Sequence, residues 1–116
     1  MHLHDINTLL NLQGVRATHI TEPIENVVYI TLNPTDLHQS CPICGNIHTI
    51  RRGQSKPRHV RHLDLFENST VLILPTIRLT CRECDLNFTW EYSFVKPKSR
   101  YTNAFKSKLA RSIDGG

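Results

Sequence analysis

The 116-residue sequence has little of the material from which large folds are built. Eight side chains are aromatic, one of them tryptophan, and apolar residues make up 39% of the chain. A core of this composition is modest, which excludes a large enzyme with a deep central cavity. No apolar run reaches the roughly 18–20 residues that span a bilayer, so we expect no membrane contact.

Targeting and catalytic motifs are also missing. The start, Met1–Asp5, lacks the basic region and apolar stretch of a signal peptide, so we expect a cytoplasmic protein. The sequence contains no glycine-rich phosphate loop, no HExxH motif and no nucleophile elbow. We therefore expect no enzymatic activity and no small-molecule substrate.

Acidic residues are scarce relative to basic ones after residue 40. Residues 41–116 contain thirteen basic and six acidic residues, whereas residues 1–40 contain one basic and four acidic residues. A basic half of this kind is typical of nucleic-acid binding, although it also fits a solvated surface. Two basic stretches of this half contain no acidic residue. We predict that they contact phosphates through Arg51, Arg52, Lys56, Arg58, Arg61, Lys96, Lys98 and Arg100. We expect His59 and His62 to lie on this polar face or contact phosphate rather than bind metal.

Two C-x2-C pairs carry the strongest chemical signal, and their members are Cys41, Cys44, Cys81 and Cys84. Two residues between cysteines let one tight turn direct both sulfurs at one metal, and two such turns make a closed tetrahedral site. Gly45 permits the positive φ that follows such a turn, and Asp85 tolerates it less well. The sequence therefore predicts one structural Zn²⁺, held across a 36-residue spacer that is longer than usual.

Three other interpretations of the cysteines remain open at this level. Two disulfides are possible, but the cytoplasm disfavours them. A thioredoxin-type redox motif needs only one pair and a βαβ setting, which neither pair has. Four unrelated buried cysteines would rarely be spaced in this way.

The residue pattern predicts an α+β fold, mostly β, with a helix at each end. We expect a helix from Asp5, as its cap, to a left-handed Gly14, and a second from Thr102 to Ile113 with Phe105, Leu109 and Ile113 on one face. Predicted strands are Val15–Thr21, Val27–Leu32, Ile47–Arg52, His59–Leu65, Thr70–Leu74, Ile77–Cys81 and Asn87–Phe94. Pro75 interrupts the pattern, so its strand should be an edge or carry a bulge.

The expected organisation has three parts. In residues 1–40 a helix and a strand pair pack on a four-cysteine zinc ribbon. The ribbon itself occupies residues 41–95, and residues 96–116 form a basic linker and the start of the C-terminal helix.

The ordered set of CPICG, the basic Arg58–Leu63 stretch, the Ile77–Cys84 strand with its CxxC pair, and Phe88–Glu91 resembles a known family. It is similar to the N-terminal zinc-binding region of bacterial insertion-sequence transposases of the ISL-three family. The resemblance implies a zinc region that binds the DNA ends of the element, followed in the family by a helix-turn-helix and a catalytic domain with three acidic residues. Nothing here matches those later parts, so the chain is at most a fragment of a transposase.

The first functional hypothesis is thus a zinc-dependent module that binds double-stranded DNA mainly through phosphate contacts. The alternative is a protein-interaction module or homo-oligomer, suggested by the acidic first 40 residues, the apolar strand Val27–Ile30, and aromatic residues expected at the surface, namely Trp90, Tyr92 and Phe94. A third is a part of a transposase or nuclease that acts with a separate catalytic partner.

Overall fold

The computed structural model describes residues 3–36, 38–65 and 67–114, with side chains from Asp5 to Ala110 within those ranges. The elements are α1 (Leu3–Leu10), β1 (Val15–Ile20), β2 (Val27–Pro34), β3 (Thr49–Leu65), β4 (Asn68–Cys81), β5 (Asn87–Thr89) and α2 (Asn103–Asp114). The predicted class, mostly strand with two short helices around a zinc ribbon, is confirmed. None of the helices in these ranges is long and apolar enough to cross a membrane.

Helix α1 begins earlier and ends earlier than the sequence predicted. Asp5 lies within its first turn rather than at the cap. The left-handed residue that ends the helix is Asn11, with φ of 47°, and its N–H donates to the Asn7 carbonyl oxygen at 3.0 Å. Asparagine tolerates this conformation because its short polar side chain bonds locally. Gly14, with φ of 77°, instead makes the turn into β1.

The five strands form one sheet in the order β1-β2-β4-β3, and β5 pairs with the far end of β4. β1 and β2 are an antiparallel pair. The chain reverses between them at Glu25 and Asn26, whose φ angles are 51° and 65°, and the backbones of Ile24 and Val27 exchange hydrogen bonds of 2.9 Å across this turn. β2 then pairs in parallel with β4, from Val27 opposite Ser69 to Thr31 opposite Ile73. The N-terminal segment is therefore hydrogen-bonded into the same sheet as the ribbon.

β3 and β4 form one long hairpin where the sequence predicted four shorter strands. Between Ser55–Thr76 and Arg58–Leu74, two residues of β3 stand opposite the single residue Pro75. This is a β-bulge at the position where proline offers no N–H to the ladder. The sequence predicted an edge or a bulge in the strand of Pro75; the ladder is bulged at this position, but the extra residue lies on the partner strand β3, and both strands continue through it.

The buried side of β4 changes at this bulge. Leu72 and Leu74 are buried on one side of it, and Ile77 and Leu79 on the other, so the alternation shifts by one residue. Because side chains alternate between the faces of a strand, the core crosses from one face of the sheet to the other here. The first half packs with Ile30 and the second with aromatic residues after β5, in one continuous cluster.

The segment after β5 is not the long strand that the sequence predicted. β5 ends at Thr89, after which the Gln39 side chain pairs with the Glu91 backbone: its Nε2 donates to the Glu91 oxygen, and its Oε1 accepts the Glu91 N–H, both at 2.7 Å. Trp90 and Tyr92 turn inward and are only 6% exposed each. The expectation that they lie at the surface was wrong, and Phe94 is half-buried.

Helix α2 lies against β3 near its N-terminus. Thr102 N–H donates to the Arg61 oxygen at 2.9 Å, and Phe105 stacks on Tyr101 with ring centroids 5.5 Å apart. Leu109, predicted to share the buried face with Phe105, is exposed. The Ile113 side chain lies outside the described residues, as do Gly115 and Gly116.

Candidate metal centre and nucleic-acid interface

Each cysteine pair sits in a tight turn with the same backbone pattern. The Cys41 N–H donates to the backbone carbonyl oxygen of Asn46 at 3.0 Å, and the Cys81 N–H donates to that of Leu86 at 2.9 Å. The residues after the second cysteines are left-handed, with φ of 73° at Gly45 and 54° at Asp85. Both expectations about these positions are confirmed, and two similar loops lie at one end of the β3–β4 hairpin.

The two loops bring all four sulfurs together. Their Sγ atoms lie within 4.8 Å of one another, and Cys41–Cys84 and Cys44–Cys81 are both 3.5 Å apart. A tetrahedral Zn²⁺ with bonds of about 2.3 Å needs sulfurs slightly below 4 Å apart, so the cluster fits this ion. The sulfurs are far beyond the ~2.05 Å of a disulfide bond, and all four cysteines are free.

Backbone donors favour the thiolate at both Cys41 and Cys84, and interactions among the neighbouring thiols shift the two pKa values in opposite directions in the absence of metal. The Cys44 N–H, the largest influence, lowers the pKa of the Cys41 thiol to about 6. At Cys84 the Leu86 N–H also favours the thiolate, but the Cys41 side chain, burial and the other thiols together raise its pKa to about 12. One thiolate therefore forms readily near neutral pH, and closing the site on a metal releases protons from the other thiols.

Arg51 and Arg52, predicted as phosphate contacts, lie on the ribbon half of β3 and are exposed. Arg51 donates to the backbone carbonyl oxygen of Asp36 at 3.0 Å, and its guanidinium lies 5.3 Å from the centre of the Trp90 ring. The Arg52 Nε is 3.4 Å from Oγ1 of Thr80, a weak contact that leaves the rest of its guanidinium to solvent. Arg52 can thus reach an anion more easily than Arg51.

Arg58 and Arg61 have roles within the fold. The Arg58 guanidinium donates to the carbonyl oxygens of Ser99 at 2.8 Å and Lys96 at 3.2 Å. Arg61 pairs with Asp64 at 2.7 Å and lies 5.0 Å from the centre of the Phe105 ring. Arg58 therefore holds the segment before α2 against β3, because its donors are committed to carbonyl oxygens about 40 residues away in sequence. Arg61 fixes the same segment through its backbone N–H, which donates to the Arg100 carbonyl oxygen at 2.8 Å, while its side chain is committed to Asp64.

The other four predicted contacts are also exposed, namely Lys56, Lys96, Lys98 and Arg100. Within residues 3–36, 38–65 and 67–114 no ion pair joins any of them to a carboxylate. Lys56 projects from the bulge opposite Pro75, and the other three lie on the segment that Arg58 holds. The structure therefore leaves these charges available to solvent or to a ligand.

Two residues near this surface have roles that the sequence did not predict. Arg78 of β4 is exposed beside Arg52, and its guanidinium donates to Oγ of Ser55 at 2.8 Å and 3.1 Å. It stands alone between apolar residues of a strand, so charge runs did not identify it. His62, expected on the polar face, is instead buried and hydrogen-bonded to Thr102, so that expectation was wrong.

The paired cysteine turns and the hairpin between them define the protein class as a four-cysteine zinc ribbon with one structural zinc ion. Residues 38–84 match the model of the zinc-finger of transposase IS204/IS1001/IS1096/IS1165. The resemblance to ISL-three transposases is thereby confirmed for this segment, which holds all four cysteines. No curated protein and no solved structure matches the chain significantly.

Proposed function

We propose that this protein is a zinc-dependent, non-catalytic module that binds double-stranded DNA, with the terminal DNA of an insertion sequence as its target. The observation that carries the proposal is the match of residues 38–84 to the zinc-finger of a transposase, an enzyme class that acts on DNA. The cytoplasm is the compartment in which such a site keeps its thiols reduced.

The metal has a structural role in this proposal. Cys41, Cys44, Cys81 and Cys84 hold one Zn²⁺ and leave no open coordination position, so the ion neither binds nor activates a substrate. It fixes the end of the hairpin on which Arg51 and Arg52 lie. DNA binding therefore depends on zinc through the fold.

The charged side chains divide into two groups by their surroundings. Lys56, Lys96, Lys98, Arg100 and Arg52 contact phosphates directly, because they are exposed and retain free donors. Arg51, Arg58 and Arg61 contribute charge while holding the fold around Trp90, the basic segment and Phe105. Contacts of this kind give affinity and salt dependence, and base recognition needs further residues.

The test is a salt titration of binding to a random-sequence duplex, followed by fluorescence anisotropy. We expect the triple variant Lys56→Gln, Lys98→Asn, Arg100→Gln to bind more weakly and to lose about 0.9 from the log–log salt slope for each phosphate contact removed. Asparagine is chosen at Lys98 because φ there is 62°, a conformation that asparagine tolerates.

The matched control is Arg16→Gln, an exposed arginine of β1 outside the basic half of the chain. It changes the net charge in the same direction, so it should leave the salt slope unaltered if the contacts are local. An unchanged binding curve in the triple variant, with zinc content and unfolding midpoint preserved, would refute the proposed interface.

A protein-interaction module is the second candidate, and one observation favours it. Ile43 and Ile47 around the first cysteine turn are 76% and 66% exposed. They lie four positions apart in sequence, and apolar side chains exposed together in one loop are typical of contact surfaces. Sedimentation of the zinc-loaded protein distinguishes the candidates: a stable dimer that Ile43→Ser and Ile47→Ser dissociate, without duplex binding, would replace the DNA proposal.

A further inference from the structure

A cleft of about 790 Å³ opens between the segment after β5 and the basic segment before α2. One wall is aromatic and comes from Phe88, Trp90 and Tyr92, and the other includes Lys98 and Arg100. In the sequence these walls belong to two different predicted elements, the strand Asn87–Phe94 and the basic linker that follows it. The cleft therefore joins aromatic and basic chemistry in one cavity.

On the aromatic wall, Phe88 is the ring that remains available. The Trp90 ring lies under the Arg51 guanidinium, and the Tyr92 hydroxyl donates to the Pro75 oxygen at 2.6 Å. Among the described residues the close aromatic pairs are Tyr92 with Phe94 and Tyr101 with Phe105. Phe88 is in neither pair; it packs against the core on one side and is only half-buried, so the part of its ring that lines the cleft can receive a planar group.

The opposite wall is positively charged and fixed in place. Lys98 and Arg100 are exposed, and the carbonyl oxygens of Lys96 and Ser99 beside them accept hydrogen bonds from Arg58. His59 also lines the cleft, and Glu91 is its one lining acid. Since the basic segment is already held, an anion placed there does not have to order it first.

A planar ring on one wall and an anion on the other are the two parts of a nucleotide. Inside a double helix both faces of each base are covered by stacking, whereas an unpaired nucleotide offers a free base face and a phosphate at once. We propose that this cleft binds an unpaired nucleotide at the end of a DNA duplex, with its base on Phe88 and its phosphate at Lys98 and Arg100. This inference rests on the proposed DNA-binding function and assigns the end of the DNA to a specific site.

The experiment compares two duplexes of equal length, one blunt and one with an unpaired thymidine overhang, by anisotropy with the zinc-loaded protein. We expect the overhang to be preferred, and Phe88→Leu to lower the affinity for the overhang about tenfold while leaving blunt-duplex binding unchanged. Trp90 is the one tryptophan of the chain and lines the cleft, so its fluorescence should change with the overhang duplex alone.

Phe94→Leu is the matched control, because Phe94 is also half-buried but does not line the cleft. The pair Lys98→Asn and Arg100→Gln provides a second test at exposed positions, in case Phe88→Leu alters the fold. Zinc content and the unfolding midpoint are measured for every variant. The pair should weaken overhang binding more than blunt-duplex binding.

The outcomes separate this inference from the proposed function. Equal binding of the two duplexes, or an overhang preference that survives in both sets of variants, overturns the cleft assignment and leaves duplex binding standing. Binding of neither duplex by folded, zinc-loaded protein overturns both. Preference for the overhang, lost in Phe88→Leu and kept in Phe94→Leu, supports the assignment.

Discussion

Nδ1 of His62 in β3 lies 2.8 Å from Oγ1 of Thr102, in a hydrogen bond buried between the sheet and the start of α2. The same Thr102 oxygen accepts the N–H of Phe105 at 3.2 Å, which makes this residue the N-cap of the helix. One hydroxyl therefore connects β3, the edge strand of the sheet, to the C-terminal helix.

Stability should fall below about pH 6.5 because of His62. Burial lowers the pKa of this imidazole from its usual value of 6.5, so the unfolded chain binds a proton that the folded chain excludes. The contribution is fully present above pH 6.5 and is lost as the pH decreases toward the folded-state pKa. Urea unfolding of wild type and His62→Gln across this range should show a stability difference that shrinks on acidification.

Both proteins in that comparison carry the same cysteines, so the acid sensitivity of zinc binding cancels from their difference. A pH-independent difference would show that His62 does not titrate in this way.

Removing the cap at Thr102 should destabilise the junction of sheet and helix. We expect Thr102→Ala to lower the free energy of unfolding by about 1–2 kcal/mol, because it removes the cap and the partner of a buried imidazole. Thr102→Ser keeps the hydroxyl and should retain most of that stability. Hydrogen exchange should show faster opening of α2 in the alanine variant, and equal rates in the two variants would contradict the capping role.

Loss of one thiolate should abolish stoichiometric zinc and unfold the ribbon. In Cys84→Ser the cluster lacks a fourth soft ligand, and the metal supplies folding free energy on the order of 10 kcal/mol. Metal analysis should give one zinc per wild-type chain and much less for the variant. Ile43→Ser, an exposed change in the other cysteine turn, is the control and should keep its zinc. A chelated protein with a fully protected β3–β4 hairpin would show that zinc does not hold the fold.

The two left-handed positions after the cysteine pairs should respond in opposite directions. A Cβ at Gly45 would meet no atom within 4 Å, so Gly45→Ala tests backbone conformation alone and should cost about 1 kcal/mol. Asp85→Gly relieves the same strain and should stabilise the zinc-loaded protein by up to about 1 kcal/mol. Thermal unfolding midpoints of both zinc-loaded variants test this prediction. Stabilisation by Gly45→Ala would exclude backbone strain at the left-handed positions as the cause.

Features that depend on neighbouring residues could be predicted from the sequence. The cysteine turns, the φ of Gly45 and Asp85 and the bulge at Pro75 each follow from chemistry within a few positions. The four sulfurs could be assigned to one site because two C-x2-C turns together supply the four thiolates of a closed tetrahedral zinc site.

Features that depend on distant partners could not be predicted. Arg58 belongs to a basic run in sequence, but its donors meet carbonyl oxygens at Lys96 and Ser99. Trp90 and Tyr92 alternate as in a strand, but the Gln39 side chain pairs with the backbone at Glu91 between them. The local sequence pattern predicted an exposed strand at Trp90 and Tyr92, but contacts with residues distant in sequence end the strand at Thr89 and bury both rings.

The parallel pairing of β2 with β4 also determines the order in which the sheet can be completed. Val27 pairs with Ser69, a partner 42 positions further along the chain, and β3 lies between them in sequence. At a translation rate of about 5–20 residues per second, β2 is made about 2–8 s before its partner. β4 is thus synthesised after β2 and β3 and enters between them, so the nascent β1–β2 hairpin keeps an open edge until then. A pairing between residues 42 positions apart raises the contact order of the chain, and we expect it to slow the completion of the sheet relative to the β1–β2 hairpin.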